Sequence, residues 1–500
     1  MLIVVVWTVI ALGLYRCSVQ MADADEHADE RAAGNTDEGE QVAQPDPDET
    51  AGEVTTEENV PETPFDENVR ILLLDRDSQG IYHKELHIAC EEGFTVSSGE
   101  EIKNYAPESE LVLRTEDLED GQMICITGKD NGRIQIADLG RNSPARYRGR
   151  LECYPAAEGI AVVNELTVEE YLYGVVPSEM PSTYPDEALR AQAVTARTYT
   201  YHHKQRYAYP EWKAHMDDST AFQVYMNCEE TQRAVSAVDA TRDQVITHEG
   251  EIVESFYYST SGGYNGGARV WSDAASAADD YLIETGEEIY ASNSEEGEQA
   301  YRQYIDNGNE ADVEYHEAWY RWQYDKPLEG EAVTDLLKKL YELSLSQPGT
   351  VRIRSRYLPS DRLPDEAAVR DIRILTRRKS GMAAGIMIET EHFRVSVLSQ
   401  HAIRQALGCA QDIVTRKDCS SYIMGDILPS AYFYIEKIYD NNEEKGDNLK
   451  QITIHGAGFG HGCGMSQNGA KCLAERGLTA AQILAYYYNG SIMDIGELGK

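Results

Sequence analysis

The hydrophobic and polar positions divide the chain into four stretches. It opens on an unbroken apolar run, MLIVVVWTVIALGLY, closed by Arg16. That run is short for a membrane span, which takes about 20 apolar residues. It also lacks the basic flank and small-residue cleavage site of a signal peptide. The pattern predicts a short signal anchor over residues 1–20. Residues 21–68 then alternate Asp, Glu, Pro and Thr with little to bury, which predicts a disordered acidic linker. From Val69 to about residue 150, short Ile- and Leu-rich runs (VRILLLD, MICITG, RIQIADL) are separated by turn signals such as GKDNGR. These predict a small β-rich domain.

Helical spacing begins after residue 166. LTVEEYLYGVV carries apolar residues at helical intervals, with Thr167 placed to cap and Glu169 and Glu170 near the positive end. A second helix is predicted from Pro185, with Asp186 and Glu187 in its first turn. It runs through EALRAQAVTARTYTYHHKQRY. Further strands are predicted at DQVITHEG, EIVESFYYSTSGG, VRDIRILTR, AAGIMIET, HFRVSVL, ILPSAYFYIEKIYD and QITIHG, and a helix at AVTDLLKKLYELSLS. Residues 285–345, acidic and Tyr-rich, read as an insertion within a 151–500 region. The fold class is α+β, with a β-rich N-terminal part and a helical region surrounded by antiparallel strands.

Composition narrows the partners. The 500 residues allow roughly three domains of about 100–200 residues each. A net charge of −41 repels nucleic acid, whose phosphates need Lys and Arg. It also disfavours anionic membrane surfaces. Tyr outnumbers Phe by 32 to 7, and Tyr supplies a flat face with a hydroxyl tip, as sugar-binding grooves do. Nine Cys leave at least one thiol unpaired, and no C-x-x-C pair suggests zinc or redox chemistry. Cys409 and Cys419 are spaced so that a bridge between them is open.

Two segments concentrate the candidate chemistry. In GVVPSEMP, Glu179 stands between Pro177 and Pro181, which stiffen a turn between two helices. Apolar Val176 and Met180 would partly desolvate it, and desolvation favours a proton-donating carboxyl. A cap on the next helix, or a pair with Arg190, is the plain structural alternative. In HGAGFGHGCGMSQNGA, the spacing never gives the G-x-G-x-x-G of a dinucleotide loop. Asn468 spoils a nucleophile elbow, and His455 and His461 lack a third zinc ligand. What is left is a backbone able to approach a ligand closely, or a tight structural turn. His461, Ser466 and Gln467 offer polar contacts there, and Ser259, Ser261, Gly262 and Gly263 form a second small-residue loop.

Both segments resemble the SpoIID/LytB family. GVV-x-x-EMP followed by EAL-x-AQAV-x-ARTY, then G-x-G-x-GHG-x-GMSQ-x-GA, follow the family's order, with lesser matches at YSTSGGYN, SGM, IRQALG and LPSAYF. The resemblance covers about residues 145–495. It implies a peptidoglycan lytic transglycosylase in which Glu179 is the single acid/base catalyst, and no cofactor. It implies a groove lined by the Gly-rich loop, with Ser259, Ser261, Gly262, Gly263, His461, Ser466 and Gln467 as substrate contacts. Arg197 would hold the lactyl carboxylate of MurNAc, unless an ion pair with a neighbouring acid occupies it. The implied partners are glycan strands, a cell-wall amidase and other engulfment proteins, with no nucleic acid, and a membrane reached through the N-terminal segment. The implied location is extracytoplasmic, at the cell membrane. Where some members carry His and Cys before Q-x-Y, this chain has Ala221 and Phe222, so no metal is expected. The family's other branch implies a non-catalytic glycan-binding enhancer of an amidase, and an unrelated secreted carbohydrate-binding protein is a third reading.

Overall fold

The computed structural model describes residues 67–75, 80–118, 121–139, 145–271, 274–355, 368–440 and 448–498. The expected anchor, Cys17 and all but the last two residues of the expected linker lie outside them. Among the described residues no helix is long and apolar enough to cross a membrane.

The architecture is α+β, as the periodicities predict. Eight strands form the first sheet. Its path runs Met216–Asp217, Asn68–Leu73, Gly159–Thr167, Arg150–Ala156, Ile124–Gly128, Phe94–Ser98, Glu101–Tyr105, with Tyr82–His83 added beside Gly159–Thr167. This sheet crosses residue 150: Asn68–Leu73 pairs antiparallel with Gly159–Thr167, from Asn68 opposite Thr167 to Leu73 opposite Val162. The N-terminal β-rich part and the helical region therefore share one sheet and one core. A four-stranded sheet of Glu85–Ala89, Glu110–Arg114, Ile134–Ile136 and Ala145–Tyr147 adds to the β-rich part. Leu86, Ile88, Phe94, Ile126, Ile134, Ile136 and Leu151 are fully buried in that core.

Helix α1 (Val168–Glu179) leaves the long strand directly. Its start is a capping box, with the Glu170 amide on Thr167 Oγ1 at 3.3 Å and the Thr167 amide on Glu170 Oε2 at 3.3 Å. Such a cap contributes about 1 kcal/mol. The helix continues through Pro177, one turn past the expected end at Val176, so Glu179 sits on the last helical residue and not on a turn. A proline in a last turn forfeits one backbone bond, and the Met180 amide still closes on Val176 O at 3.0 Å. Helix α2 (Asp186–His203) follows, and α3 (Gln232–Ala240) packs against both.

Helix α4 (Glu295–Asn307) buries Tyr301 and Ile305 in the first core. A second core begins at Trp322. It is filled by α5 (Glu331–Ser346), α6 (Gln400–Leu407), a five-stranded sheet and a four-stranded sheet, and it extends to Ile454. The stretch read as an insertion at 285–345 thus splits between the two cores, with the second reaching more than a hundred residues further along the chain. EIVESFYYSTSGG holds only two short strands, Glu251–Ile252 and Tyr257–Tyr258. The latter pairs in parallel with Met465–Ser466, joining the small-residue loop to the Gly-rich loop. Helices α7 (Gln467–Glu475) and α8 (Ala480–Tyr487) then pack back on α2. Cys409 and Cys419 are free thiols, so the bridge left open between them is absent.

Candidate functional site

Glu179 is half-buried and held from two sides. The Val224 amide donates to its Oε1 at 2.7 Å, and Gln467 Nε2 donates to its backbone carbonyl at 3.0 Å. The preceding Ser178 Oγ accepts from the Asn227 and Cys228 amides at 3.0 and 3.2 Å. The 224–228 segment is therefore pinned to the end of α1 at successive residues. It can come this close because residue 174 is glycine: a Cβ there would lie 2.6 Å from both the Tyr225 ring and the Met226 sulfur. The glycine of GVV serves packing.

The charge of Glu179 is felt by three tyrosines. Burial first, and the charge of Glu179 among the further causes, hold the hydroxyls of Tyr171, Tyr199 and Tyr257 well above their ordinary range. All three stay protonated. Gln223 Nε2 donates to Tyr257 Oη at 3.2 Å, while Gln223 Oε1 accepts from Thr200 Oγ1 at 2.9 Å. Tyr257 thus receives one hydrogen bond and keeps its own O–H to give. Tyr257, Gln223 and the Val224 amide were missed in the sequence. For Gln223 and Val224 the signal was Q-V-Y at 223–225, read there only as the place where a zinc site was absent.

The two glycine-bearing loops lie against each other. Thr260 and Phe459 exchange backbone bonds at 3.0 and 2.8 Å, and the Asn468 amide reaches Ser259 O at 2.9 Å. Asn468 Nδ2 donates to Thr260 Oγ1 at 2.8 Å, and its Oδ1 accepts from the Tyr184 hydroxyl. A Cβ at Gly464, whose φ is +77°, would lie 1.9 Å from Phe256 O. One at Gly458, φ +76°, would lie 2.7 Å from Thr260 O. What the Gly-rich backbone approaches is the protein's own chain.

Placed on this frame, the expected contacts separate. Gln467 reaches Glu179 directly but is only 4% exposed. Ser466 is fully buried and caps α7, its Oγ accepting from the Gly469 amide at 3.1 Å and the Ser261 amide at 3.2 Å. Ser261 Oγ accepts from the Gly263 amide at 3.0 Å, closing its own loop. Gly262 O accepts from Tyr304 Oη and Arg321 Nη1 at 3.0 and 2.9 Å. A Cβ at Gly263 would strike the Tyr304 hydroxyl. Ser259 is half-buried beside Asn468. Of these residues Gln467 meets Glu179, and the others brace the two loops.

Two of the expected contacts are engaged within the protein. Arg197 is fully buried. Its Nε and Nη2 each meet a Glu169 carboxyl oxygen at 2.7 Å, and Nη2 also donates to Val238 O at 3.1 Å. The ion pair is what occupies it. His461 has both ring nitrogens engaged: Nε2–H gives to Tyr257 O at 2.9 Å, and Nδ1 accepts from the Cys463 amide at 3.1 Å. Its ring lies 4.9 Å from that of Trp271. Burial, then the charge of Arg404, push it down to about 3, so it is neutral. It fixes the backbone of Tyr257 and has no nitrogen left for a sugar.

The acids near Glu179 in sequence are occupied elsewhere. Asp186 pairs with Arg233 at 2.5 Å. Glu187 holds Arg190 and accepts from the Ala480 amide at 2.7 Å. His215 Nδ1 accepts from the Arg70 amide at 3.0 Å. Among the described residues no three His, Cys, Asp or Glu side chains are grouped to hold a metal.

The segment carrying Glu179 is of a known class: residues 156–248 match the family described as Stage II sporulation protein, SpoIID. Residues 270–464 match a domain of unknown function. The chain is 25% identical over 344 residues to the Stage II sporulation protein D of Bacillus subtilis (strain 168), covering 66% of this chain and 75% of that one. It is 25% identical over 331 residues to the Amidase enhancer of the same organism, covering 64% of this chain but 40% of that protein. An uncharacterized protein of Brachyspira hyodysenteriae (strain ATCC 49526 / WA1) is 27% identical over 356 residues, 71% of this chain and 74% of that one. The matched segment and these relatives support a SpoIID family member with a sporulation-related cell-wall function.

Proposed function

We propose that the protein is a lytic transglycosylase that cleaves the MurNAc–GlcNAc bond of peptidoglycan with Glu179 as its one acid/base. The observation that carries this reading is the hold on Glu179: one carboxyl oxygen on the Val224 amide, the backbone on Gln467, and the side chain partly open to solvent. Glu179 gives its proton to the glycosidic oxygen as the C1–O bond breaks. Its carboxylate then takes the proton of the C6 hydroxyl of the same MurNAc as O6 bonds to C1. The product ends in a 1,6-anhydro ring, no water is consumed, and the carboxyl is regenerated. A hydrolase would need a second carboxylate as base or nucleophile. Asp186 and Glu187 have other partners, which favours the one-carboxylate route.

The acidic chain suits strands already stripped of their peptides, which keep one lactyl carboxylate per MurNAc. The setting is the cell envelope during engulfment, with the protein held at the membrane by its N-terminal segment. A cell-wall amidase and other engulfment proteins are its partners. The likeness to an amidase enhancer favours a second reading, in which the protein binds strands and stimulates an amidase without cutting.

The deciding experiment is mass spectrometry of peptide-free strands incubated with the protein and with Glu179→Gln. Anhydro-ended products lost in the variant are expected. Equal cleavage by the variant would refute the assignment of Glu179, and bound but uncut strands would favour the enhancer.

A further inference from the structure

Glu314 lies outside the segment that matches the SpoIID model, and it is 3% exposed. It enters the junction of the two glycine-bearing loops from a turn that is itself fixed. In that turn Asp312 Oδ2 accepts from the hydroxyls of Tyr304 and Tyr320 at 2.7 and 2.6 Å, and the Glu317 amide closes on Glu314 O at 2.9 Å. Glu314 Oε1 accepts from the Ser261 amide at 3.3 Å, the same amide that Ser466 Oγ receives at 3.2 Å. It stands at the N-terminus of α7, where a Cβ on Gly469 would be 2.6 Å from Oε1 and 1.9 Å from the Tyr487 hydroxyl. A carboxyl is favoured there by the positive end of the helix dipole. The next residue of that turn after Ser466 is Gln467, whose amide holds the carbonyl of Glu179.

We propose that Glu314 is a positioning residue for Glu179, acting through Ser466 and Gln467. The proposal rests on the reading of Glu179 given above. It links the site to a part of the chain with no assigned role: Glu314 sets Ser261 and Ser466, Ser466 sets the first turn of α7, and that turn sets Gln467 against the end of α1.

The link is sensitive to pH. Burial pushes Glu314 up to about 7, while the Ser466 hydroxyl and Ser261 amide favour its charged form and Glu317 opposes it. Glu317 pairs with Lys471 at 2.8 Å. Tyr258, Tyr486, Tyr487 and Cys472 also face the group. All are raised from their ordinary values, Cys472 to about 12, and none titrates near neutrality. Above about pH 7 the carboxylate accepts from the Ser261 amide; below it the protonated group holds that amide less well.

The test compares the protein with Glu314→Gln and Glu314→Ala, reading kcat and KM for anhydro-product formation from pH 5.5 to 8.5. Hydrogen–deuterium exchange at residues 177–181, 224–228, 259–263 and 466–469 is measured alongside. Glu314→Ala is expected to lower kcat about tenfold at pH 8 with KM changed less than about twofold, the pattern of lost alignment. Glu314→Gln should match the parent at pH 6 and lose its rise through pH 7. Exchange should quicken at 177–181 as well as at 259–263 and 466–469. Faster exchange confined to 259–263 and 466–469, or an unchanged kcat in Glu314→Ala, would overturn the proposal. If the parent protein forms no anhydro product, the lytic reading fails by itself. Exchange at 177–181 then decides whether Glu314 reaches Glu179.

Discussion

Replacing Arg197 by Met should destabilise the fold and leave the affinity for glycan strands unchanged. Arg197 is fully buried, and Glu169 is 7% exposed. Their two contacts of 2.7 Å form a bidentate fork, and the same guanidinium also serves Val238 O at 3.1 Å and Gln244 O at 3.3 Å. Met fills much of the volume but strands the Glu169 carboxylate away from solvent. Removing one partner of a buried pair costs about 3–5 kcal/mol. That is a large share of a stability of about 5–15 kcal/mol. The exposed pair Arg233–Asp186, with side chains 46% and 66% exposed, is the control, at about 0–1 kcal/mol. Urea unfolding of Arg197→Met, Glu169→Met and the double variant measures the coupling, and the double variant should recover most of the loss. Isothermal titration with peptide-free strands, run where every variant is folded, measures binding. An unchanged unfolding midpoint with weakened strand binding would refute the structural role and return Arg197 to the lactyl carboxylate.

His461 should stay neutral through the working range, because its pKa is near 3 in the fold against about 6.5 in an unfolded chain. Between those values the unfolded chain binds the extra proton, so stability falls as pH drops from 6.5 toward 3. Ring-nitrogen chemical shifts of His461 constant from pH 5 to 8 are expected, and a midpoint near 6.5 would count against the buried geometry. Glu314 works in the opposite sense: with its pKa raised to about 7 from 4.5, the folded state keeps the proton longer, so stability falls as pH rises from 4.5 through 7. Glu314→Gln should flatten that part of the stability profile; an unchanged profile would mean that Glu314 is not buried as described. Gly469→Ala places a methyl 1.9 Å from the Tyr487 hydroxyl, an overpacking cost of about 1–3 kcal/mol that differential scanning calorimetry would register as a lower Tm. Thr167→Ala removes the cap of α1 at a cost of about 1 kcal/mol. An unchanged midpoint in urea would show that the capping box contributes nothing.

Local periodicity was enough to find most elements. VRDIRILTR and AAGIMIET are strands over Val369–Arg377 and Ala383–Thr390, and α1 begins at the predicted cap, because each carries its pattern within a few residues. The pairing of Asn68–Leu73 with Gly159–Thr167 could not be read, since about ninety residues separate the partners and no short-range rule joins them. For the same reason the sequence suggested a domain boundary at 150 that the sheet crosses. ILPSAYFYIEKIYD was expected as one strand and is extended only over Phe433–Tyr439. Its first half packs through Ser430, whose Oγ donates to Ala457 O at 2.7 Å, a tertiary contact that no hydropathy pattern shows.

The Gly-rich loop shows what motif reading can and cannot yield. Glycine at 456, 458 and 464 signals that something comes close, and that was legible. What comes close was not. At Gly456 it is the Trp322 ring, 2.1 Å from where a Cβ would be; at Gly458 the 260–262 backbone; at Gly464 the carbonyl of Phe256. Trp322 Nε1 then donates to Gly458 O at 3.0 Å, so a residue of the second core fixes the loop whose far end, at Gln467, meets Glu179. Ser466 and His461 follow the same logic. Polar residues in a conspicuous motif invite a ligand, yet buried polar atoms must first satisfy each other, and here they do so by joining Tyr257, Ser261 and α7. Glu179 stands apart from them. Its carboxyl accepts from the Val224 amide and keeps part of its surface in solvent, which suits the proposed giving and taking back of a proton.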